Sequence, residues 1–294
     1  MIQPLLKDDA LLADIAGAGA REPEALHVWW LGQSGFLLEC AGARLLLDPY
    51  LSDSLTKKYA ATDKPHVRMT GRCIDPACLT GVKLVTASHL HTDHLDAETL
   101  RPLAFANAGI DLLLPHPIME EARSRLGDAP VNRIGLDAGE SVTAHGWSIT
   151  AVPAAHNDLK RDGRGRCHYL GFIIRRGGFA IYHSGDTLWH EELLPALLSE
   201  CPLDLMLLPI NGNVPERRVA GNFNGTEAAA LARACSARLV VPCHYDMFEF
   251  NTVSTAEFAA ACARLSQPFQ ILRCGERLAM PAGAQRTGPS LEAR

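Results

Sequence analysis

Apolar and polar positions alternate along this chain in two rhythms. Residues 8–17 carry apolar side chains at helical spacing and end at the breaker Gly17-Ala18-Gly19, which predicts a short amphipathic helix. Three short apolar runs follow at 27–31, 35–40 and 44–50, separated by Gln33-Ser34-Gly35 and Ala41-Gly42-Ala43. Brief strands joined by turn residues predict an antiparallel meander. Periodicity then disappears from 51 to 79, a polar stretch that carries Lys57, Lys58, Lys64, Arg68 and Arg72. A loop of that length inside a compact domain is usually functional or disordered.

Beyond it, strands alternate with helices. Strands are predicted at 83–87 and 111–115, with helices after Asp96 and over 118–126. Further strands are predicted at 148–153, 170–175 and 179–183, the last two joined by the hairpin turn Gly177-Gly178. A helix at 189–198, a strand at 204–209, a helix at 226–236 and a strand at 238–242 come next. A helix at 255–265 and a last hairpin around 269–280 close the pattern. This order predicts an α/β fold, a four-layer αββα sandwich in which two mixed β-sheets are flanked by helices. The chain reads as a single domain over 1–294, with an N-terminal helical extension over 1–25 and a polar tail over 283–294.

Composition narrows the function. With 294 residues, 47% of them hydrophobic, the chain can bury a core without disulfide or metal staples, so a metal site is available for chemistry. Nine cysteines without paired spacing fit a reducing cytoplasm, and Cys73 and Cys78 lack the second close pair of a zinc ribbon. No apolar run reaches 18 residues, and the N-terminus has no secretion signal. The net charge of −5 leaves no basic surplus for nucleic acid or an anionic membrane. The expected partner is therefore a small molecule, with no nucleic acid and no membrane. An anionic one is compatible, since a few local Lys or Arg residues suffice.

The densest chemistry is His89-Leu90-His91-Thr92-Asp93-His94, directly after the strand at 83–87. Alternation turns His89 and His91 the same way. Four potential ligands in six residues suit two neighbouring cations, and imidazole with carboxylate suits zinc, manganese or iron. A merely histidine-rich surface loop is the bland alternative, and the scarcity of histidine elsewhere speaks against it. His156, Asp186 and His244 each follow an apolar strand. Singly, each reads as an ordinary polar residue; together with the first motif they complete the ligand count of a binuclear centre.

This order, with Asp186 preceded by Ser184-Gly185, resembles the metallo-β-lactamase superfamily from Trp30 to beyond His244. Within it, Trp29-Trp30-Leu31-Gly32, Tyr182-His183-Ser184-Gly185-Asp186 and Val241-Pro242-Cys243-His244-Tyr245-Asp246 are similar to the L-ascorbate-6-phosphate lactonase family. The resemblance implies the metallo-β-lactamase fold and two divalent ions per chain, Zn2+ or Mn2+ with Fe2+ also suited. It gives His89, His91 and His156 to the first ion and Asp93, His94 and His244 to the second, with Asp186 bridging. A histidine at 156, where the lactonase family often departs, points toward a complete zinc-like site. Asp48, in Leu47-Asp48-Pro49, matches a carboxylate that orients a ligand histidine; a plain turn residue before Pro49 is an equal alternative.

The implied chemistry is attack by a metal-bridging hydroxide on a small, anionic ester or lactone, with Asp93 and Asp186 as catalytic carboxylates. Asp93 would position the nucleophile. Arg68, Arg217, Asn222 and Tyr245 are the candidate substrate contacts, beside Lys57, Lys58, Arg72 and Arg218. Any one of these cations reads more readily as a solvated side chain; as a set they point to an anionic substrate. His183 either supports Asp186 or packs behind it, and Trp29 and Trp30 read as core or pocket wall. The alternatives are a phosphodiesterase or nuclease with the same centre, and a non-catalytic metal-binding regulatory protein. The lactonase resemblance also implies a homo-oligomer.

Overall fold

In the computed structural model, residues 1–282 are described; the tail expected over 283–294 lies outside the described residues. The first part of the chain forms α1 (Asp8–Arg21), β1 (Leu26–Gly32), β2 (Gly35–Cys40), β3 (Ala43–Leu47), α2 (Ser54–Tyr59) and β4 (Val82–Thr86). It continues with α3 (Ala97–Ala106), β5 (Ile110–Pro115), α4 (Met119–Leu126) and β6 (Val131–Leu136). The second part forms β7 (Ser141–Ala144), β8 (Trp147–Pro153), β9 (Leu170–Arg176), β10 (Phe179–His183) and α5 (Leu193–Leu198). β11 (Leu205–Pro209), α6 (Gly225–Ala234), β12 (Leu239–Cys243), α7 (Ala256–Leu265) and β13 (Arg277–Met280) complete it.

The strands make two mixed sheets, ordered β13-β1-β2-β3-β4-β5-β6 and β12-β11-β10-β9-β8-β7. β1, β2 and β3 form the expected antiparallel meander, and β3 through β6 run parallel. Period-two alternation sorts the side chains. Leu26, Val28 and Trp30 of β1 join Phe36, Leu38, Leu45 and Leu47 in one core with Trp147, Ile149, Phe172 and Ile174 of the second sheet. On the opposite face, Trp29, Leu31, Leu37 and Leu46 pack with Leu11 and Ile15 of α1, Leu103 of α3 and Leu126 of α4. Leu193, Ala228, Leu231 and Phe258 bring α5, α6 and α7 against the second sheet. Two sheets with helices outside are the layers the pattern predicts. Each full side chain buried this way contributes about 1.5–3 kcal/mol.

Four local expectations change. α1 continues through Gly17-Ala18-Gly19 to Arg21, because Ala18 is buried in line with Leu11 and Ile15 and packing overrides the glycine penalty. β6 and β7 were not expected; both are half-exposed strands at sheet edges, without a clear apolar alternation. The last hairpin does not form: β13 pairs antiparallel with β1, and Phe269 bridges to Val240. The stretch 51–79 carries α2 and is tied down by bridges Ile2 to Thr70 and Arg68 to Phe248. Among the described residues, no helix is long and apolar enough to cross a membrane.

Candidate metal centre

Every residue of the proposed ligand set lies just beyond a strand. His89, His91, Asp93 and His94 follow β4, His156 follows β8, Asp186 follows β10, and His244 follows β12. Strand ends of both sheets thereby converge on one point. The turn to Asp186 demands glycine: Gly185 has φ +58°, and a Cβ there would lie 2.5 Å from the Ser88 Cβ. Gln33, Asp48 and His244 also hold left-handed backbone, at φ 51°, 37° and 63°. Such conformations cost on the order of 1–3 kcal/mol each and cluster where surrounding structure must aim a side chain.

Three groups of ligand atoms form, each with all its atoms within 4.8 Å of one another: His89, His91 and His156; His89, His94 and Asp186; Asp93, His94 and His244. Asp186 Oδ2 is 3.4 Å from His94 Nε2, 3.3 Å from His244 Nε2 and 3.7 Å from His156 Nε2. Asp93 Oδ2 is 3.8 Å from Nε2 of both His94 and His244.

Hydrogen bonds behind the cluster fix the imidazoles. His94 Nδ1–H donates to Asp48 Oδ2 at 2.7 Å, and His156 Nδ1–H donates to the Gly221 carbonyl at 2.8 Å. Ser88 Oγ accepts from His89 Nδ1–H at 3.0 Å and donates in turn to Asp48 Oδ2. Thr86 Oγ1 and the Ser88 N–H donate to Asp48 Oδ1 at 2.9 and 3.0 Å. One buried carboxylate therefore orients two imidazoles, His94 directly and His89 through Ser88, and both present Nε2 to the cluster.

The electrostatics hold His89 and His156 neutral and Asp186 ionised, the forms in which each can act as a ligand. Burial, then His94, His91 and His156, hold His89 well below the usual imidazole range, and burial holds His156 down to about 4. Burial alone would raise Asp186, but His244 and His94 hold its carboxyl well below the usual range. Burial opposes a charge on His94 too, yet Asp186, Asp93 and Asp48 raise it well above. His89 Nε2 and His94 Nε2 are buried without a hydrogen-bond partner among the described residues. Unpaired imidazole nitrogens beside carboxylates in a buried cluster fit divalent cations, which would also replace the proton on His94.

A cavity of about 400 Å³ opens above this cluster. His91, Asp93, His156, Asp186 and His244 form its floor with Gln33, and Lys58, Tyr59, His66, Arg125, Arg218, Phe248 and Phe250 are among its walls. The four expected substrate contacts are not in its lining. Arg68 is held by Asp53 at 2.7 Å, by the Ser52 and Thr70 carbonyls and by Met247. Arg217 donates to the Asn211 and Thr252 carbonyls at 2.5 and 3.1 Å. Asn222 Nδ2 donates to Asn211 Oδ1, while the Tyr245 hydroxyl donates to the Leu272 carbonyl and its ring packs 4.4 Å from Trp30. Each of the four is thus engaged within the fold and outside the lining, while Asn222 Oδ1 is buried without a hydrogen-bond partner among the described residues. Lys57 pairs with Glu98 and Arg72 lies near Asp75, away from the cavity lining. Lys58 and Arg218 are the members of the expected cationic set that face it. His183 donates to or accepts from nothing in the ligand cluster; its Nε2–H donates to the Ser34 carbonyl at 3.0 Å.

Two polar residues, Gln33 at the floor and Ser88 buried behind it, escaped the sequence patterns. Gln33 Nε2 lies 2.8 Å from Asp93 Oδ2 and 3.0 Å from His244 Nε2, bridging residues 60 and 211 positions away. Ser88 gave no signal beyond its place before His89. Arg125 lines the cavity with Nη1 pinned to the Leu90 and Leu95 carbonyls, at 2.7 and 3.2 Å.

A family model described as a beta-lactamase superfamily domain matches residues 43–245. A protein of Opitutus terrae named a metal-dependent hydrolase is 29% identical over 258 residues, covering 86% of this chain and 99% of that one. A metallo-beta-lactamase fold protein of Bacillus subtilis superposes with TM-score 0.62 at 18% identity, covering 87% of this chain and 99% of that chain. An isothiocyanate hydrolase from Delia radicum gut bacteria superposes with TM-score 0.67 at 18% identity, covering 87% and 100%. At these identities the two solved structures establish the shared fold alone.

Proposed function

This chain belongs to the beta-lactamase superfamily, and on that premise we propose that it is a binuclear metal-dependent hydrolase of a small anionic ester or lactone. The observation that carries this is the interlocking of three ligand groups, sharing His89 and His94, beneath a cavity of small-molecule size. The relatives' name, metal-dependent hydrolase, supports the same reaction class.

His89, His91 and His156 would hold one ion and Asp93, His94 and His244 the other, with Asp186 between them. Zn2+, Mn2+ and Fe2+ all suit this donor set. Divalent ions bound there supply an activated water and polarise the bond to be broken. The protein's own part is orientation. Asp48 and Ser88 hold two imidazoles in the tautomer that presents Nε2, Gln33 steadies the Asp93 carboxylate, and Asp93 faces the substrate from the floor.

An anionic substrate is supported by the lining. Among the described residues its cations are Lys58, Arg125 and Arg218, and its only carboxylates are Asp93 and Asp186, both in the ligand set. The test is turnover by the zinc- or manganese-reconstituted protein on charged and neutral lactones, carboxylic esters and phosphodiesters. Charged lactones or esters should be hydrolysed in preference to neutral ones, and Asp186→Ala should abolish it. Turnover confined to phosphodiesters, or none with either metal, would overturn the proposal.

A further inference from the structure

The cavity has a second built surface besides its floor. α2 carries Leu55, Lys58 and Tyr59 at positions i, i+3 and i+4, one helical face, and all three line the cavity. Lys57 points elsewhere, with Nζ 2.6 Å from Glu98. Tyr59 stacks on His66 with ring centroids 4.1 Å apart and planes 16° from parallel. His66 lies 4.4 Å from Phe250 and 5.3 Å from Phe248. Its Nδ1–H donates to the Lys64 carbonyl at 3.1 Å, and burial favours the neutral ring. Tyr50, Leu55, Met247 and Phe248 form a small core of their own, apart from the two large ones, with Tyr59 and Phe250 packed against it. Leu55, Tyr59, His66, Phe248 and Phe250 thus make one apolar, mostly aromatic wall over the ligand cluster.

Among the described residues, two lysines stand beside that wall without an ion-pair partner: Lys64 lies outside the cavity lining, 5.8 Å from the Phe250 ring centre with Nζ donating to the Arg218 carbonyl at 2.6 Å, and Lys58 faces the cavity. Arg218 pairs with Asp63 and Arg125 with Glu121, each at 2.9 Å. Lys58 has no ion-pair partner among the described residues, and its Nζ lies 5.2 Å from the Tyr59 ring centre. Leu55, His66 and Phe248 are buried behind the surface, and Tyr59 and Phe250 stay partly exposed; a purely polar substrate would leave those two rings wetted in the complex, forgoing the gain from covering them.

We propose that this wall takes the flat apolar body of an amphiphilic anion, an aryl- or acyl-bearing carboxylate or phosphate, with its charge at Lys58 and its scissile bond over the ligand cluster. This deepens the hydrolase proposal and rests on it for the reaction, though not for binding.

The test is calorimetric titration of the full chain as purified with 3-phenylpropionate, acetate and inorganic phosphate. 3-Phenylpropionate should bind at least tenfold more tightly than either small anion. Phe250→Ala and Tyr59→Ala should each lose most of that advantage, while Lys58→Ala weakens all three anions. Circular dichroism confirms that each variant is folded, and Tyr59→Leu, which keeps an apolar side chain, should retain part of the preference. Equal binding of the three anions by the parent protein, or an undiminished advantage in folded Phe250→Ala and Tyr59→Ala, would overturn the proposal. Phenyl-bearing and bare lactones assayed in parallel separate the two ideas. Tight phenylpropionate binding with no turnover sinks the hydrolase alone; turnover without aryl preference in binding sinks the wall alone.

Discussion

The floor and the wall of one cavity are built by opposite means. The floor draws its ligands from the ends of β4, β8, β10 and β12, in both sheets, and fixes them with buried hydrogen bonds to Asp48, Ser88 and the Gly221 carbonyl. The wall comes from α2, His66 and the segment 248–250, and its members touch mainly through ring faces and edges. A hydrogen-bonded carboxylate relay tolerates almost no change, because each lost partner leaves a buried polar group unpaired. Packed rings can be resized at the loss of contact area alone. Chemistry is thereby held constant by the floor while selection can vary at the wall, consistent with one fold carrying many reactions.

The two regions should therefore respond differently to substitution. The largest effect is expected from Asp186→Ala, which removes the carboxylate lying 3.3–3.7 Å from His94, His156 and His244: turnover should vanish and bound metal should fall by at least one equivalent, read by elemental analysis. Asp48→Asn should weaken metal affinity roughly 10–100-fold, because His94 loses its anionic acceptor. Competition with a chelator measures this, and the aryl preference in anion binding should remain.

A pH effect should appear in the metal-free protein. Burial holds His156 down to about 4 from an ordinary 6.5. Between those values the unfolded chain binds the proton and the folded one does not. This contribution to stability is thus present above 6.5 and lost as pH falls toward 4, on the order of 3 kcal/mol. Urea midpoints at pH 7 and 4.5 should differ more for the parent than for His156→Gln. Equal differences would break this part of the account. The smallest effect separates support from selection: Arg68→Met should cost about 1–3 kcal/mol of stability through its lost bonds to Ser52, Asp53 and Thr70, with metal content unchanged.

The floor was legible in the sequence where the wall was not. His89, His91, Asp93 and His94 sit in one run after an apolar strand, so their proximity needs no tertiary knowledge. His156, Asp186 and His244 were recognisable only as a set, because each follows an apolar strand and together they complete the ligand count begun by the first run. Gln33 was not, since its partners lie 60 and 211 residues away. Basic side chains were the weakest guide: Arg68 and Arg217 are engaged by backbone carbonyls, and only packing distinguishes them from Lys58. The two sheets followed from the alternation of apolar runs, whereas β6, β7 and the pairing of β13 with β1 depended on edge positions and a long-range return of the chain. His66 joins the wall through contacts with Tyr59 and Phe250 that no local pattern encodes.

The most direct test of the central claim is the metal stoichiometry of the protein, purified without chelator and reconstituted with zinc or manganese. Two equivalents per chain are predicted for the parent, with fewer in Asp186→Ala. One equivalent or none in the fully reconstituted parent would contradict a binuclear centre.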